Sequence, residues 1–186
     1  MDISGVKLEG RAALVTGAGV GIGRAAAEAL AACGAFVGVH YHASQSGAEE
    51  TLARVREVGG DGLLIQADLT APEQCRQLVD QFVERAGRLD ILVNNAGSPV
   101  ERVRMEDCPL ETWEQLISVN LTSAFLVTQR AIPHLRASGN GVIVNNLSLS
   151  VQTGGANGAG PYAIAKGGLQ VMTRTLAREL APEVRT

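Results

Sequence analysis

Tyr162 and Lys166 stand four residues apart at the end of the stretch LSLSVQTGGANGAGPYAIAK (147–166). On a helix, residues i and i+4 share a face, and an ammonium beside a phenol favours the phenolate. A free tyrosine has a pKa near 10, so bringing one to about 7 takes about 4 kcal/mol of preferential stabilisation of the anion. A second positive charge nearby would add to what the lysine supplies. The chain holds only two tyrosines and two lysines, which makes a chance Y-x-x-x-K pair roughly a one-in-fifty event. Ser148 and Ser150 precede the pair, and either hydroxyl could reach the same place if the preceding strand continued.

Short apolar runs alternate with longer amphipathic segments and supply the frame for these groups. Strands are expected at 12–16, 36–41, 62–67, 90–95 and 141–147. Helices are expected at 22–34, from a capping box at Ser46 toward Val58, from a capping box at Thr70 to Ala86, from Glu111 to Arg136, and from Tyr162 to Leu180. The strand candidates are continuously apolar, as when helices cover both faces of a sheet. Repeated β-α units with right-handed crossovers predict an α/β fold: a doubly wound parallel sheet of Rossmann type in three α/β/α layers, forming one domain over 1–186. The closing Val184-Arg185-Thr186 reads as the start of a sixth strand.

In such a sheet, ligands bind beyond the carboxyl ends of the strands. The polar and glycine features collect there: Gly17 after the first strand, HYHAS (40–44) after the second, Asp68 after the third, NNAG (94–97) after the fourth and Ser148 after the fifth. The first strand runs into TGAGVGIGR, with glycines at 17, 19, 21 and 23. Such a turn lets a diphosphate approach the N-terminus of the next helix, where free N–H groups and the helix dipole favour anions. The second strand ends without the carboxylate that holds an NAD ribose. Tyr41, His42 and Ser44 instead offer donors to a 2′-phosphate, so NADP is favoured over NAD. Absence of that acid also weakens a methyltransferase reading. His40 and His42 could start a metal site, but no third ligand is evident, and none is assigned.

TGAGVGIG, NNAG, the asparagine of SVNLTSAF, a serine after the fifth strand and YAIAK, in that order along the whole chain, resemble the short-chain dehydrogenase/reductase family. Among its members, the 3-oxoacyl-carrier-protein reductases, glucose dehydrogenases and pteridine reductases are similar at the second-strand end. The resemblance implies a nicotinamide cofactor and a catalytic set of Asn120, Ser148, Tyr162 and Lys166. Tyr162 would exchange a proton with the substrate oxygen, and Ser148 would hydrogen-bond that oxygen. Lys166 would bind the nicotinamide ribose and tune Tyr162, an oxidised nicotinamide supplying the second positive charge. Asn120 would interrupt its helix and hold a water leading to Lys166. Gly17, Gly19, Gly21, Ile22 and Gly23 would carry the diphosphate, Asp68 and Leu69 would flank the adenine, and Asn94, Ala96 and Gly97 would line the ribose side. The strand frame GVIVNNLS favours Ser148 over Ser150, although spacing to Tyr162 does not separate them. Family members run longer, so the C-terminal strands and substrate lid are expected to be missing from this chain.

Net charge is −3 with a sequence pI near 5.6, which gives no basic footprint for nucleic acid or an anionic membrane. No apolar run nears the roughly 18 residues that span a bilayer, and the N-terminal stretch has no apolar core of a signal peptide. Three scattered cysteines read as reduced thiols in a cytoplasmic protein. The expected partner is a small carbonyl or alcohol substrate, with homo-oligomers, dimer or tetramer, implied by the family. The competing expectation is a cofactor-binding regulator, or an inactive short form, on the same fold.

Overall fold

The computed structural model describes residues 5–186. Six strands form one sheet, all pairs parallel, in the order β3-β2-β1-β4-β5-β6. They are β1 (Ala12–Val15), β2 (Phe36–Tyr41), β3 (Asp61–Gln66), β4 (Ile91–Asn94), β5 (Gly141–Asn145) and β6 (Val184–Arg185). The helices between them are α1 (Gly21–Ala32), α2 (Gln45–Glu57), α3 (Pro72–Ala86), α4 (Leu110–Ile117), α5 (Ser123–Ala137), α6 (Ser150–Thr153) and α7 (Gly160–Glu179). Strand order reverses between β1 and β4, which opens a crevice at their carboxyl ends.

Burial explains why these segments pair as they do. Every residue of β1 and β4 is buried, and two apolar clusters lie on the sheet's opposite faces. One cluster includes Ala27, Ala31, Ala48 and Val55 from α1 and α2. The other includes Cys75, Leu78, Val79 and Phe82 of α3, at helical spacing, with Val127 and Leu135 of α5. Gly38 makes room for Phe82, since a Cβ there would come within 2.6 Å of the ring. Helix α3 opens with Pro72, whose missing N–H costs nothing in the first turn, and stops at Gly87 in the left-handed conformation, φ 76°.

Two helix starts differ from expectation. Helix α2 is entered at Ser44 rather than Ser46. Its first turn docks on the glycine loop at Gly47, where a Cβ would fall 2.7 Å from the Gly19 carbonyl oxygen. Thr70 does not cap α3; Ala71 holds that position, and the Thr70 N–H and hydroxyl both donate to Asp68 Oδ1. The long helix foreseen over 111–136 is two helices joined by a wide π-turn, Ser118–Thr122, with Asn120 buried inside it. The sixth strand is present, Val184 pairing with Gly141 and Arg185 with Val142.

Candidate functional site

The loops that leave β1 to β5 and the start of α7 enclose one cavity of about 470 Å³. Of the residues singled out in the sequence, Gly17, Gly21, Ile22, His42, Asp68, Leu69, Ala96, Gly97, Tyr162 and Lys166 bound it. So do Asn95, Ser98, Asn146 and His40, which the sequence reading passed over or, for His40, weighed only as half of a metal pair. Among the described residues no cluster of three or more His, Cys, Asp or Glu could hold a metal ion.

The turn after β1 is held from four sides. Thr16 Oγ1 accepts the N–H groups of Asn95 and Ala96, so the β1 and β4 loops are tied at the point where they diverge. Asn95 Nδ2 donates to the carbonyls of Thr16 and Gly17. The Gly17 N–H and the Ala18 N–H donate to His40, at ring Nδ1 and carbonyl oxygen respectively. From α1, Arg24 reaches back to the Gly19 carbonyl at 2.8 Å and also bonds Thr51 of α2. Gly17 sits at φ 63°, and a Cβ on it would lie 2.9 Å from Ala96 Cα, so glycine is required on both counts.

Helix α7 presents Tyr162 and Lys166 to the cavity one turn apart, with the ammonium 6.0 Å from the phenol ring centroid. Lys166 is buried, and burial holds its pKa below the ordinary lysine value. Its Nζ donates to the Asn146 carbonyl at 2.9 Å. The Asn146 side chain in turn donates to Asn95 Oδ1, also at 2.9 Å, so a continuous chain of hydrogen bonds runs from Lys166 to the turn after β1. Asp68 lies across the cavity, its carboxyl held below the usual carboxylate range by the Thr70 hydroxyl and N–H. His42 Nε2 is 3.9 Å from Asp68 Oδ2.

Seven of the foreseen residues do not bound the cavity. Asn94 is buried, and its Nδ2 donates to Thr128 of α5 and Asn145 of β5. As the last residue of β4 it follows the strand's alternation into the layer under α5, and Asn95 takes its place on the wall. Gly19 is buried where α2 docks, with Ser44 O 3.3 Å from the position of a Cβ. Gly23 lies inside α1, where a Cβ would collide with the Gly17 carbonyl and the Asn95 amide. Tyr41 packs, half-buried, on the apolar cluster beneath α1 and α2, and Ser44 stands exposed at the N-cap of α2 with no side-chain hydrogen bond to the helix. Ser148, half-buried just past the wall residue Leu147, accepts from the Ser150 hydroxyl at 2.8 Å. Asn120 stands behind Gly97: its Nδ2 donates to Ser98 O and Leu116 O, and its Oδ1 accepts the Ser98 N–H. Both amide hydrogens are committed to protein, so this side chain fixes the loop after β4.

A glycine turn leading into α1 and a phenol–ammonium pair on α7 share one crevice, with a buried asparagine in a π-turn fixing the loop behind it. The short chain dehydrogenase family model matches residues 11–186. The chain belongs to that family. Glucose 1-dehydrogenase 2 of Bacillus subtilis is 35% identical over 94% of this chain and 67% of its own length. A 3-oxoacyl-[acyl-carrier-protein] reductase of Synechocystis is 36% identical over 94% of this chain and 70% of that protein. Among solved structures, the NADH-dependent reductase A1-R′ responsible for alginate metabolism superposes with a TM-score of 0.91 at 36% identity, covering 96% of this chain and 75% of that one. The chain is thus an NAD(P)-dependent oxidoreductase on a Rossmann-type fold, and no helix among the described residues is long and apolar enough to cross a membrane.

Proposed function

We propose that the chain interconverts a carbonyl and a secondary alcohol, with NADP as the preferred cofactor and Tyr162 as the general acid/base. The observation that carries this reading is the shared cavity: Tyr162 and Lys166 face the same space as the turn that enters α1. The residues fit a pyridine dinucleotide. Gly21, at φ 57°, has nothing within 4 Å of where a Cβ would stand, and the first turn of α1 carries no acidic side chain to repel a diphosphate. The chemistry a bound nicotinamide supplies is hydride donation or acceptance.

The chain's own residues do the rest. Tyr162 gives a proton to the carbonyl oxygen in reduction and takes it from the hydroxyl in oxidation. Ser148, next to the wall residue Leu147, accepts from Ser150 and so keeps its own hydroxyl hydrogen to give to that oxygen at the cavity's edge, and Lys166 holds the nicotinamide ribose and favours the phenolate through its charge. Asn120 keeps Gly97 and Ser98 in place. Tyr41 through Ser44 contain no carboxylate, and His42 stands on the wall, which supports the NADP preference. NAD is the second reading, because the relative A1-R′ is NADH-dependent. The Kd ratio of NADP⁺ to NAD⁺ separates the two. The substrate is a small carbonyl or alcohol, the working form a homo-oligomer in the cytoplasm, and residues 1–186 belong to one dinucleotide-binding and catalytic domain that the C-terminal strands and substrate lid of the family would complete. Replacing Tyr162 by Phe tests the proposal: turnover across a ketone and 3-oxoacyl thioester panel is expected to fall by at least about 100-fold, with NADP⁺ affinity within about threefold. Retained turnover would overturn it.

A further inference from the structure

We propose that His40 is a positioning residue for the nucleotide-binding turn, its neutral ring fixing the Gly17 amide and so the shape of the loop that enters α1. The inference rests on the reading of that turn as a dinucleotide site. The ring is 2% exposed. Nε2 lies 3.0 Å from the Ala67 carbonyl oxygen, which can only accept, so Nε2 carries the hydrogen. Nδ1 is therefore bare and accepts the Gly17 N–H at 2.9 Å. The neighbours dictate both the charge state and the tautomer.

Packing alone does not account for this residue. A leucine would fill the volume, whereas the imidazole spans three strand ends, linking the turn after β1 to the loop after β3 from its own place on β2. Its carbonyl takes the next amide, Ala18 N–H, at 2.8 Å. The Gly17 carbonyl is already engaged by Asn95, so His40 supplies the acceptor for the remaining polar group of Gly17. Protonation would turn Nδ1 from acceptor to donor and set two N–H groups against each other. The titratable groups near the ring are His42, two residues on, and Asp68, which follows Ala67 and lies near His42. β1 contributes none, since Ala12–Val15 is AALV.

Two substitutions separate the roles. In His40→Asn, the amide oxygen stands where Nδ1 stands and cannot titrate; in His40→Leu, the acceptor is gone. NADP⁺ binding by calorimetry at pH 7.5 is expected to weaken at least about tenfold in His40→Leu and to stay within about threefold in His40→Asn. Gly17 amide exchange, followed without nucleotide, should accelerate at least about tenfold in His40→Leu alone. From pH 6 to 4 the wild-type Kd should rise more steeply than that of His40→Asn, in which His42 and Asp68 are unchanged. A folded His40→Leu that binds like wild type, or a His40→Asn as impaired as His40→Leu, would overturn the proposal. If His40→Leu does not fold, the His40→Asn exchange rate and the two pH profiles decide. A wild type that binds neither NADP⁺ nor NAD⁺ would instead remove the dinucleotide reading, and Gly17 exchange would still report whether His40 holds the turn.

Discussion

Lys166 Nζ lies 6.0 Å from the centroid of the Tyr162 ring and donates to the Asn146 carbonyl rather than to any acid. Burial costs this ammonium part of its hydration, and among the described residues no carboxylate bonds it in return. Its charge is therefore available to the phenol and to a ligand. Replacing Lys166 by Met removes the cation, which disfavours phenolate. The expected outcome is a kcat/KM for alcohol oxidation reduced at least about 100-fold, with the pH profile displaced to the alkaline side. Steady-state rates from pH 6 to 10 check this; an unshifted profile would mean that the lysine only binds ribose.

Gly97 separates Asn120 from Lys166. A Cβ on it would stand 2.7 Å from Asn120 Oδ1 and 3.2 Å from Lys166 Nζ. Neither neighbour can withdraw, as both are buried and hydrogen-bonded. Gly97→Ala should destabilise the fold by about 1–3 kcal/mol and cut turnover at least about tenfold by displacing Lys166. Urea unfolding read beside kcat distinguishes the two effects.

Asp90 links β4 to β1. Its carboxylate is 1% exposed, accepts the Ala12 N–H at 2.9 Å and takes a two-pronged pair from Arg88. Burial opposes its ionisation most strongly, but Arg88 and the Ala12 amide prevail and hold the pKa below the ordinary value. A depressed acid stabilises above its unfolded pKa, near 4, and that contribution disappears as pH falls through the folded value. Asp90→Ala strands the Ala12 N–H and should cost about 1–3 kcal/mol at pH 7. As pH falls below about 4 and through the folded value the gap to wild type should narrow, as unfolding curves taken across that range would show.

His40 titrates in a different window. Its pKa is lowered to about 4, burial being the main cause, against about 6.5 in the unfolded chain. The folded state thus refuses a proton that the unfolded state accepts. Stability should fall by about 3 kcal/mol as pH drops from 6.5 to 4. The same series on His40→Asn should be flatter by that amount; equal slopes would mean that other groups cause the loss.

Much of the architecture was legible because it rests on local chemistry. β2 falls on 36–41 and α3 ends at Ala86, as periodicity indicates. The helix starts at Ser46 and Thr70 misled because a capping signature describes one turn in isolation. Docking of Gly47 on the Gly19 loop, and the grip of Asp68 on Thr70, decided otherwise. At the site, residues made of backbone freedom or fixed spacing, such as Gly17 and the Tyr162–Lys166 pair, stood out. Asn94 was misplaced by one residue because period-two alternation loses its phase where a strand ends. His40 was missed as a positioning group because its partners, Gly17 and Ala67, lie 23 and 27 residues away, and no spacing rule connects them.

The π-turn at Ser118–Thr122 acts as a phase shifter in an otherwise continuous rod from Leu110 to Ala137. The wide turn takes in one residue more than a regular turn and so absorbs the rotation of about 100° that this residue would otherwise give everything downstream. Leu116 can therefore point inward on one side of the wide turn while Ala124, Val127, Ala131 and Leu135 point inward on the other. Straightening the same residues into a regular helix would rotate one side against the other and wind either Leu116 or the α5 stripe out into water, so the wide turn, as much as its asparagine, keeps both buried.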